Sequence, residues 1–143
     1  MKTLNPTQLK NIERKWYEID AKGQTLWRLA TKIATILRWK NKVNFAPYVD
    51  NWDYVVVLNA TKVVVTWNKL SDKVYRTHSW HMWSLKETNL ASLNAKKPTE
   101  ALRLAVSWML PKNKLHDDML LRLKLEVGSS HKFEAQKPIK IEL

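Results

Sequence analysis

The chain has 143 residues, with 25 Lys and Arg against 13 Asp and Glu, no Cys, two Gly and eight Trp. This length suits one domain with a single core, and the lack of Cys excludes a disulfide framework and cysteine-based zinc or nucleophile chemistry. The net charge of +12 is spread over all thirds of the chain, which favours a polyanionic partner over a merely basic soluble protein. The longest apolar run is too short to span a membrane, and residues 1–15 lack a signal-peptide core, so we expect a cytoplasmic protein.

The first elements are a polar lead-in, a strand and a helix. Residues 1–14 are the lead-in, and residues 15–20 alternate loosely and are rich in aromatic side chains, as in a strand. After a turn, Thr25 is suited to cap a helix. Apolar residues then recur at helical spacing over residues 26–37, which predicts an amphipathic helix.

The middle of the chain predicts strands. Residues 53–59 form a nearly continuous apolar run, which is typical of a strand buried on both faces of a parallel sheet. Residues 62–66 and residues 72–79 predict two further strands.

The C-terminal part predicts mainly helices, over residues 87–95, 98–109 and 116–122, before a short strand at residues 123–127. Residues 128–143 are expected to form an irregular basic tail. This order of elements predicts a single α/β domain over residues 1–143, with helices on both faces of the sheet.

Three histidines are the candidates for metal or hydrolytic chemistry. His78 and His81 are three residues apart, and His116 precedes Asp117. A metal site would need these groups to converge, and their spacing does not require that. The sequence therefore gives catalysis, a metal or a cofactor little support.

Basic residues cluster in two predicted loops, and in the first of these they alternate with aromatic residues. Residues 67–86 contain four Lys or Arg side chains that can neutralise phosphates, and two His that can add hydrogen bonds. Their Trp and Tyr rings can stack on unpaired bases. Residues 111–114 form a second basic cluster after a helix. Each lysine alone is an ordinary surface charge, but the clustering favours contact with RNA or DNA.

Several segments taken together and in order resemble the universally distributed ribosomal protein L-thirteen family of the large subunit. The segments are Arg14-Lys15-Trp16-Tyr17-x-Ile19-Asp20-Ala21, Thr25-Leu26-x-Arg28-Leu29-Ala30-Thr31-x-Ile33-Ala34, Pro47-x-Val49-Asp50-x-x-Asp53-Tyr54-Val55-Val56-Val57-x-Asn59-Ala60, Asn68-Lys69-x-x-Asp72-Lys73-x-Tyr75-x-x-His78, Met109-Leu110-Pro111-Lys112-Asn113-Lys114-Leu115, Met119-Leu120, Leu123-Lys124, His131 and Ala135-Gln136-x-Pro138.

The resemblance implies a three-layer α/β/α domain around a small, mainly parallel four-stranded sheet. It also implies a structural component of the large ribosomal subunit that binds ribosomal RNA, meets neighbouring ribosomal proteins and acts early in subunit assembly. The resemblance implies neither catalysis nor a cofactor, and neither a membrane nor a small-molecule substrate as partner.

The chain departs from the family pattern at seven positions where the family has Gly and this sequence has Trp. They are Trp27, Trp39, Trp52, Trp67, Trp80, Trp83 and Trp108. Several lie where a turn or a helix end favours Gly, and a bulky residue forced to positive φ would be strained. Because some bacterial lineages read the UGA codon as glycine, we hypothesise that these positions are recoded glycines. The competing interpretation is a divergent protein that stacks its Trp rings on RNA.

The sequence leaves three functions to compare. The first is the ribosomal protein, the second a free-standing basic RNA-binding module, and the third a His/Asp metal hydrolase. The residues expected to contact RNA are Arg28, Arg38, Lys40, Lys69, Lys73, Arg76, His78, Lys86, Lys112 and Lys114. Residues 116–118 are left out of this set, because the negative charge of Asp117 would repel phosphate.

Overall fold

A computed structural model describes residues 14–38, 40 and 50–141. The strands are β1 (Trp16–Asp20), β2 (Tyr54–Leu58), β3 (Val74–His78), β4 (Leu85–Asn89), β5 (Leu123–Leu125) and β6 (Ile139–Ile141). The helices are α1 (Leu26–Leu37), α2 (Lys69–Asp72), α3 (Leu90–Lys96), α4 (Glu100–Met109) and α5 (His116–Leu121), and one 3-10 turn spans Glu134–Gln136.

Four strands form one sheet in the order β5-β2-β1-β6, and every neighbouring pair is parallel. The register sets Glu18 opposite Val56 on one side and opposite Lys140 on the other. The predicted α/β class with a small, mainly parallel four-stranded sheet is confirmed. Strands β3 and β4 form a separate antiparallel pair, which we call the arm.

The core lies between one face of the sheet and helices α1, α4 and α5. Ile19 and Val57 are completely buried on the sheet, and they share one core with Ile33 of α1 and Val106 of α4. The apolar residues of α1 recur at helical spacing, so one stripe of that helix is buried and its other face is exposed. Thr25 lies at the N-cap position as predicted, but its buried Oγ1 has no hydrogen-bond partner among the described residues.

The opposite face of the sheet carries the side chains of Trp16 and Glu18, because successive residues of a strand point to opposite faces. The Trp16 ring stacks on Tyr54 at 4.3 Å and lies 5.3 Å from Phe133. His131 reaches Glu18 with a 2.9 Å hydrogen bond. Loop residues, rather than a helix, therefore cover this part of the sheet.

Three sequence-based expectations need correction: one for a strand, one for an irregular tail and one for a helix. Residues 62–66 do not form a strand, since only Val64 makes a bridge, with Thr25, where the chain turns into α1. Residues 128–143 are not irregular throughout, because Ile139–Ile141 pairs with β1 as β6. The helix expected over residues 87–95 begins only at Leu90, because Leu85–Asn89 pairs with β3 and this pairing overrides local helix propensity.

Of the seven tryptophans that we hypothesise to be recoded glycines, six lie among the described residues, and Trp39 lies outside them. Trp67, Trp80 and Trp83 have φ values of 64°, 61° and 62°, which is the left-handed region expected for Gly. The expectation of positive φ is wrong for the other three described tryptophans, which adopt ordinary conformations. These are Trp27 in α1, Trp52 before β2 and Trp108 in α4.

Candidate nucleic-acid interface

The arm exposes several of the basic side chains that we predicted to contact RNA. Arg76 lies opposite Glu87 and Thr77 opposite Lys86, so Arg76 points to one face of the arm and Lys86 to the other. His78 shares the face of Arg76, and all three basic side chains are exposed. The Arg76 Nε donates a 2.7 Å hydrogen bond to Glu87 Oε1, which partly neutralises its charge.

Lys73 attaches the base of the arm to the rest of the domain. Its carbonyl accepts a 2.9 Å hydrogen bond from the backbone N–H of Leu90. Its ammonium nitrogen lies 4.9 Å from the Trp27 ring centre and 5.3 Å from that of Tyr75, within cation–π range. Burial raises the pKa of the Tyr75 phenol, so the ring remains neutral at physiological pH. Lys73 therefore has a structural role in addition to any contact with RNA.

The turn of the arm, which consists of residues 79–84 between β3 and β4, fixes the tautomer of His78. The backbone N–H of Trp80 donates a 2.9 Å hydrogen bond to His78 Nδ1, so the neutral ring carries its proton on Nε2. Ser84 closes the same turn, because its Oγ donates to the carbonyl of His81 at 2.6 Å. His78 thus presents an Nε2–H donor on an exposed turn.

The second basic loop follows α4 and is held by Asn113. The backbone N–H of Leu115 donates to Asn113 Oδ1 at 3.1 Å, and the N–H of Asn113 donates to the Pro111 carbonyl at 3.0 Å. Lys112 and Lys114 are exposed on this loop. The Lys112 ammonium lies 5.7 Å from the Trp108 ring centre.

The remaining predicted contacts lie on α1, after it, and on α2. Arg28 is exposed on α1, and Lys40 is exposed just after that helix. Arg38 is the half-buried C-cap residue, whose backbone N–H donates to the carbonyl of Ala34 at 2.9 Å. Lys69 begins α2 and is half-buried.

A sequence model of the family described as ribosomal protein L13 matches residues 14–132. The chain belongs to the ribosomal protein L13 family. The relatives named "Large ribosomal subunit protein uL13" include one from Brevibacillus brevis, 48% identical over 138 residues that cover 96% of this chain and 95% of the relative. The Clostridioides difficile protein of that name is 49% identical over 90% of each chain. That of Nitratidesulfovibrio vulgaris is 48% identical over 100% of this chain and 99% of its own.

The L13 match contains all ten predicted RNA contacts, which lie between Arg28 and Lys114. Of these, the structure brings Arg76, His78 and Lys86 together on the arm. Sequence reasoning missed Glu87 as the partner of Arg76. The signal was weak, because a glutamate eleven residues from an arginine pairs with it only if the intervening residues form a hairpin in one particular register.

The three histidines considered for metal chemistry do not join a metal-binding cluster with other residues that the structure describes. Within the described ranges, no group of three or more His, Cys, Asp or Glu could hold a metal ion. None of the helices in those ranges is long and apolar enough to cross a membrane.

His116 makes one arrangement that resembles a nucleophile–base pair. Its Nε2 lies 3.2 Å from Ser107 Oγ and its Nδ1 3.1 Å from Asp117 Oδ1, beside a cleft of about 410 Å³. However, Nε2 also lies 3.2 Å from the Ser107 carbonyl oxygen, which can only accept a hydrogen bond. With the proton on Nε2, the ring donates to this carbonyl and cannot take the proton of the Ser107 hydroxyl. With the proton on Nδ1, the ring donates to Asp117 Oδ1 and Nε2 can accept from Ser107 Oγ. These contacts therefore do not by themselves assign a catalytic pair.

Proposed function

We propose that this chain is a structural, non-enzymatic component of the large ribosomal subunit in the cytoplasm. It binds large-subunit ribosomal RNA, contacts neighbouring ribosomal proteins and supports early subunit assembly. Membership of the L13 family supports this proposal, together with the net charge of +12 on the chain.

The RNA-binding part of this proposal rests on the arm, which exposes cationic side chains on both of its faces. Arg76 and Lys86 neutralise phosphates from opposite faces, so RNA can surround the arm rather than lie against one side. His78 donates its Nε2–H to a phosphate or sugar oxygen. The full contact set is Arg28, Arg38, Lys40, Lys69, Lys73, Arg76, His78, Lys86, Lys112 and Lys114.

Affinity for a large-subunit ribosomal RNA fragment, measured across a series of salt concentrations, tests the phosphate contacts. The affinity of the unaltered chain should fall steeply with salt, because each neutralised phosphate releases counterions. Lys86→Ala should weaken binding and make the slope of log affinity against log salt shallower by about one. Lys22→Ala is the matched control, since Lys22 is an exposed lysine outside the proposed set. Equal effects of the two substitutions, or an affinity independent of salt, would contradict the proposed contacts.

Co-sedimentation separates the ribosomal component from a free-standing RNA-binding module. A component of the large subunit should sediment with purified large subunits and remain bound at moderate salt. Release of the chain into the free fraction under those conditions would favour the module.

A further inference from the structure

Three exposed tryptophans have a backbone conformation that favours glycine. Trp67, Trp80 and Trp83 have φ values of 64°, 61° and 62°. Their residues are 90%, 96% and 96% exposed, so the indole rings bury almost no surface against the domain. Each position therefore combines a strained backbone with a side chain that contributes little packing.

The strain follows from the Cβ atom. For L-residues, the left-handed conformation brings Cβ close to the following carbonyl oxygen, and only Gly avoids this contact at no cost. Such strain normally persists where surrounding contacts compensate for it. Asn59, at a φ of 51°, has such a contact, because its side-chain amide donates a 2.9 Å hydrogen bond to Asp20.

The hydrogen bonds of the arm's turn are made by backbone groups and by the side chains of His78 and Ser84. Trp80 donates its backbone N–H to His78 Nδ1, and Gly would donate the same bond. Its ring touches only the edge of the His78 ring, with the two centres 6.1 Å apart. Gly23 shows that this chain uses glycine for the same conformation, with a φ of 75°.

The amino-acid composition of the chain also favours glycine at these positions. Average usage predicts about ten glycines in a chain of this length, and the sequence has two, alongside eight tryptophans. We propose that positions 67, 80 and 83 are glycine in the chain as its own cells make it, encoded by UGA codons that those cells read as glycine. The proposal depends on backbone conformation and composition, and it is independent of the proposed function.

Glycine at positions 80 and 83 changes the surface of the arm. The turn loses its two large rings and keeps His78, His81 and the backbone N–H groups, so it becomes narrower and more polar. A glycine turn lets a ligand approach the backbone closely, which stacking on indole rings would not allow. Such a turn offers charge and hydrogen bonds, rather than stacking rings, to the nucleic acid of the proposed function.

Peptide mass spectrometry of the chain purified from its native cells tests the proposal. Trypsin releases residues 63–69 with position 67, and residues 77–86 with positions 80 and 83. We expect the first peptide to be lighter than the printed sequence by one Trp-to-Gly difference, and the second by two. Residues 16–22 are the internal control, because Trp16 stacks on Tyr54 and should remain tryptophan.

Two results would overturn the proposal. One is a peptide mass that retains tryptophan at any of the three positions. The other is a gene with UGG codons at these positions, since UGG specifies tryptophan. The expected gene has UGA at all three positions and UGG at position 16.

Discussion

His131 donates a hydrogen bond from Nε2 to Oε2 of Glu18 across 2.9 Å, and so joins the C-terminal segment to the central strand pair of the sheet. The backbone N–H of Phe133 donates to His131 Nδ1 at 3.0 Å, which places the proton of the neutral ring on Nε2. The two side chains are only 7% and 13% exposed. The contact therefore shields a carboxylate on the face of the sheet that loop residues cover.

His131→Ala should lower the free energy of unfolding by about 1–3 kcal/mol, because Glu18 loses a donor in a largely buried environment. Urea denaturation at neutral pH measures this change. Lys140→Ala is the matched control, since its ammonium lies 3.8 Å from the other oxygen of Glu18 but its side chain is 83% exposed. That substitution should cost less than about 1 kcal/mol. Similar losses for the two variants would contradict the assigned role of His131.

Arg122 should be more important to stability than the other arginine that contacts Asp50. Its guanidinium donates to the Trp52 carbonyl at 2.8 Å and to Asp50 Oδ2, and its side chain is 10% exposed. Arg122→Lys should cost about 2–4 kcal/mol, because one ammonium cannot reproduce the planar set of donors. Arg14→Ala should cost under about 1 kcal/mol, since Arg14 reaches Asp50 at 3.4 Å and is 42% exposed. Thermal and urea unfolding of both variants should show that Arg122→Lys loses more stability than Arg14→Ala.

Asp20 should give the fold an acid-sensitive contribution. Hydrogen bonds from the backbone N–H of Lys22 and from the Asn59 amide lower the pKa of the Asp20 carboxyl below its usual value. A carboxyl whose pKa is lower in the folded state stabilises the fold above its unfolded pKa, and this stabilisation is lost as pH falls through the folded pKa. Asp20→Asn should therefore be less stable than the parent at pH 7, and the difference should shrink below about pH 4. A difference that stays constant from pH 7 to pH 3 would contradict this.

The elements that sequence alone predicted correctly are those with a strong local pattern. The helical spacing over residues 26–37 and the apolar run over residues 53–59 correspond to α1 and β2. Each strand that was missed depends on pairing with another strand, which lies next to it in a hairpin in one case and far away in the chain in the other. Leu85–Asn89 is a strand because it pairs with β3, and Ile139–Ile141 because it pairs with β1. The alternation of Ile139, Lys140 and Ile141 was the available signal, and it is too short to identify a strand by itself.

The candidate site was harder to derive, because charge in a sequence does not reveal pairing. From the sequence alone, Arg76 and Lys73 are two equivalent basic residues of one segment, and both are predicted to contact RNA. In the fold, Arg76 is bonded to Glu87, and Lys73 lies against two aromatic rings. Both contacts follow from the register of the arm and its position against α1, which require the three-dimensional structure.

Removing the charge of Glu87 should strengthen RNA binding. Glu87→Gln frees Arg76 from its ion pair and removes a negative charge beside a proposed phosphate contact. We expect affinity for the ribosomal RNA fragment to rise by less than tenfold at low salt, with a steeper salt dependence. The stability of the chain should change by less than about 1 kcal/mol, since the pair is exposed. Glu134→Gln, on an exposed turn outside the proposed set, is the control, and an equal gain there would contradict a specific effect of Glu87.

Replacing the exposed tryptophans with glycine should stabilise a recombinant chain that carries the printed sequence. Trp67→Gly, Trp80→Gly and Trp83→Gly should each raise the free energy of unfolding by about 0.5–1 kcal/mol. Relief of the left-handed strain exceeds the extra entropy of an unfolded glycine, and the exposed rings contribute little packing. Trp16→Gly should instead cost about 3 kcal/mol, because that ring stacks on Tyr54 with centres 4.3 Å apart. Urea denaturation of the four variants gives the comparison. Losses at positions 67, 80 and 83 as large as at position 16 would mean that the indole rings stabilise the fold.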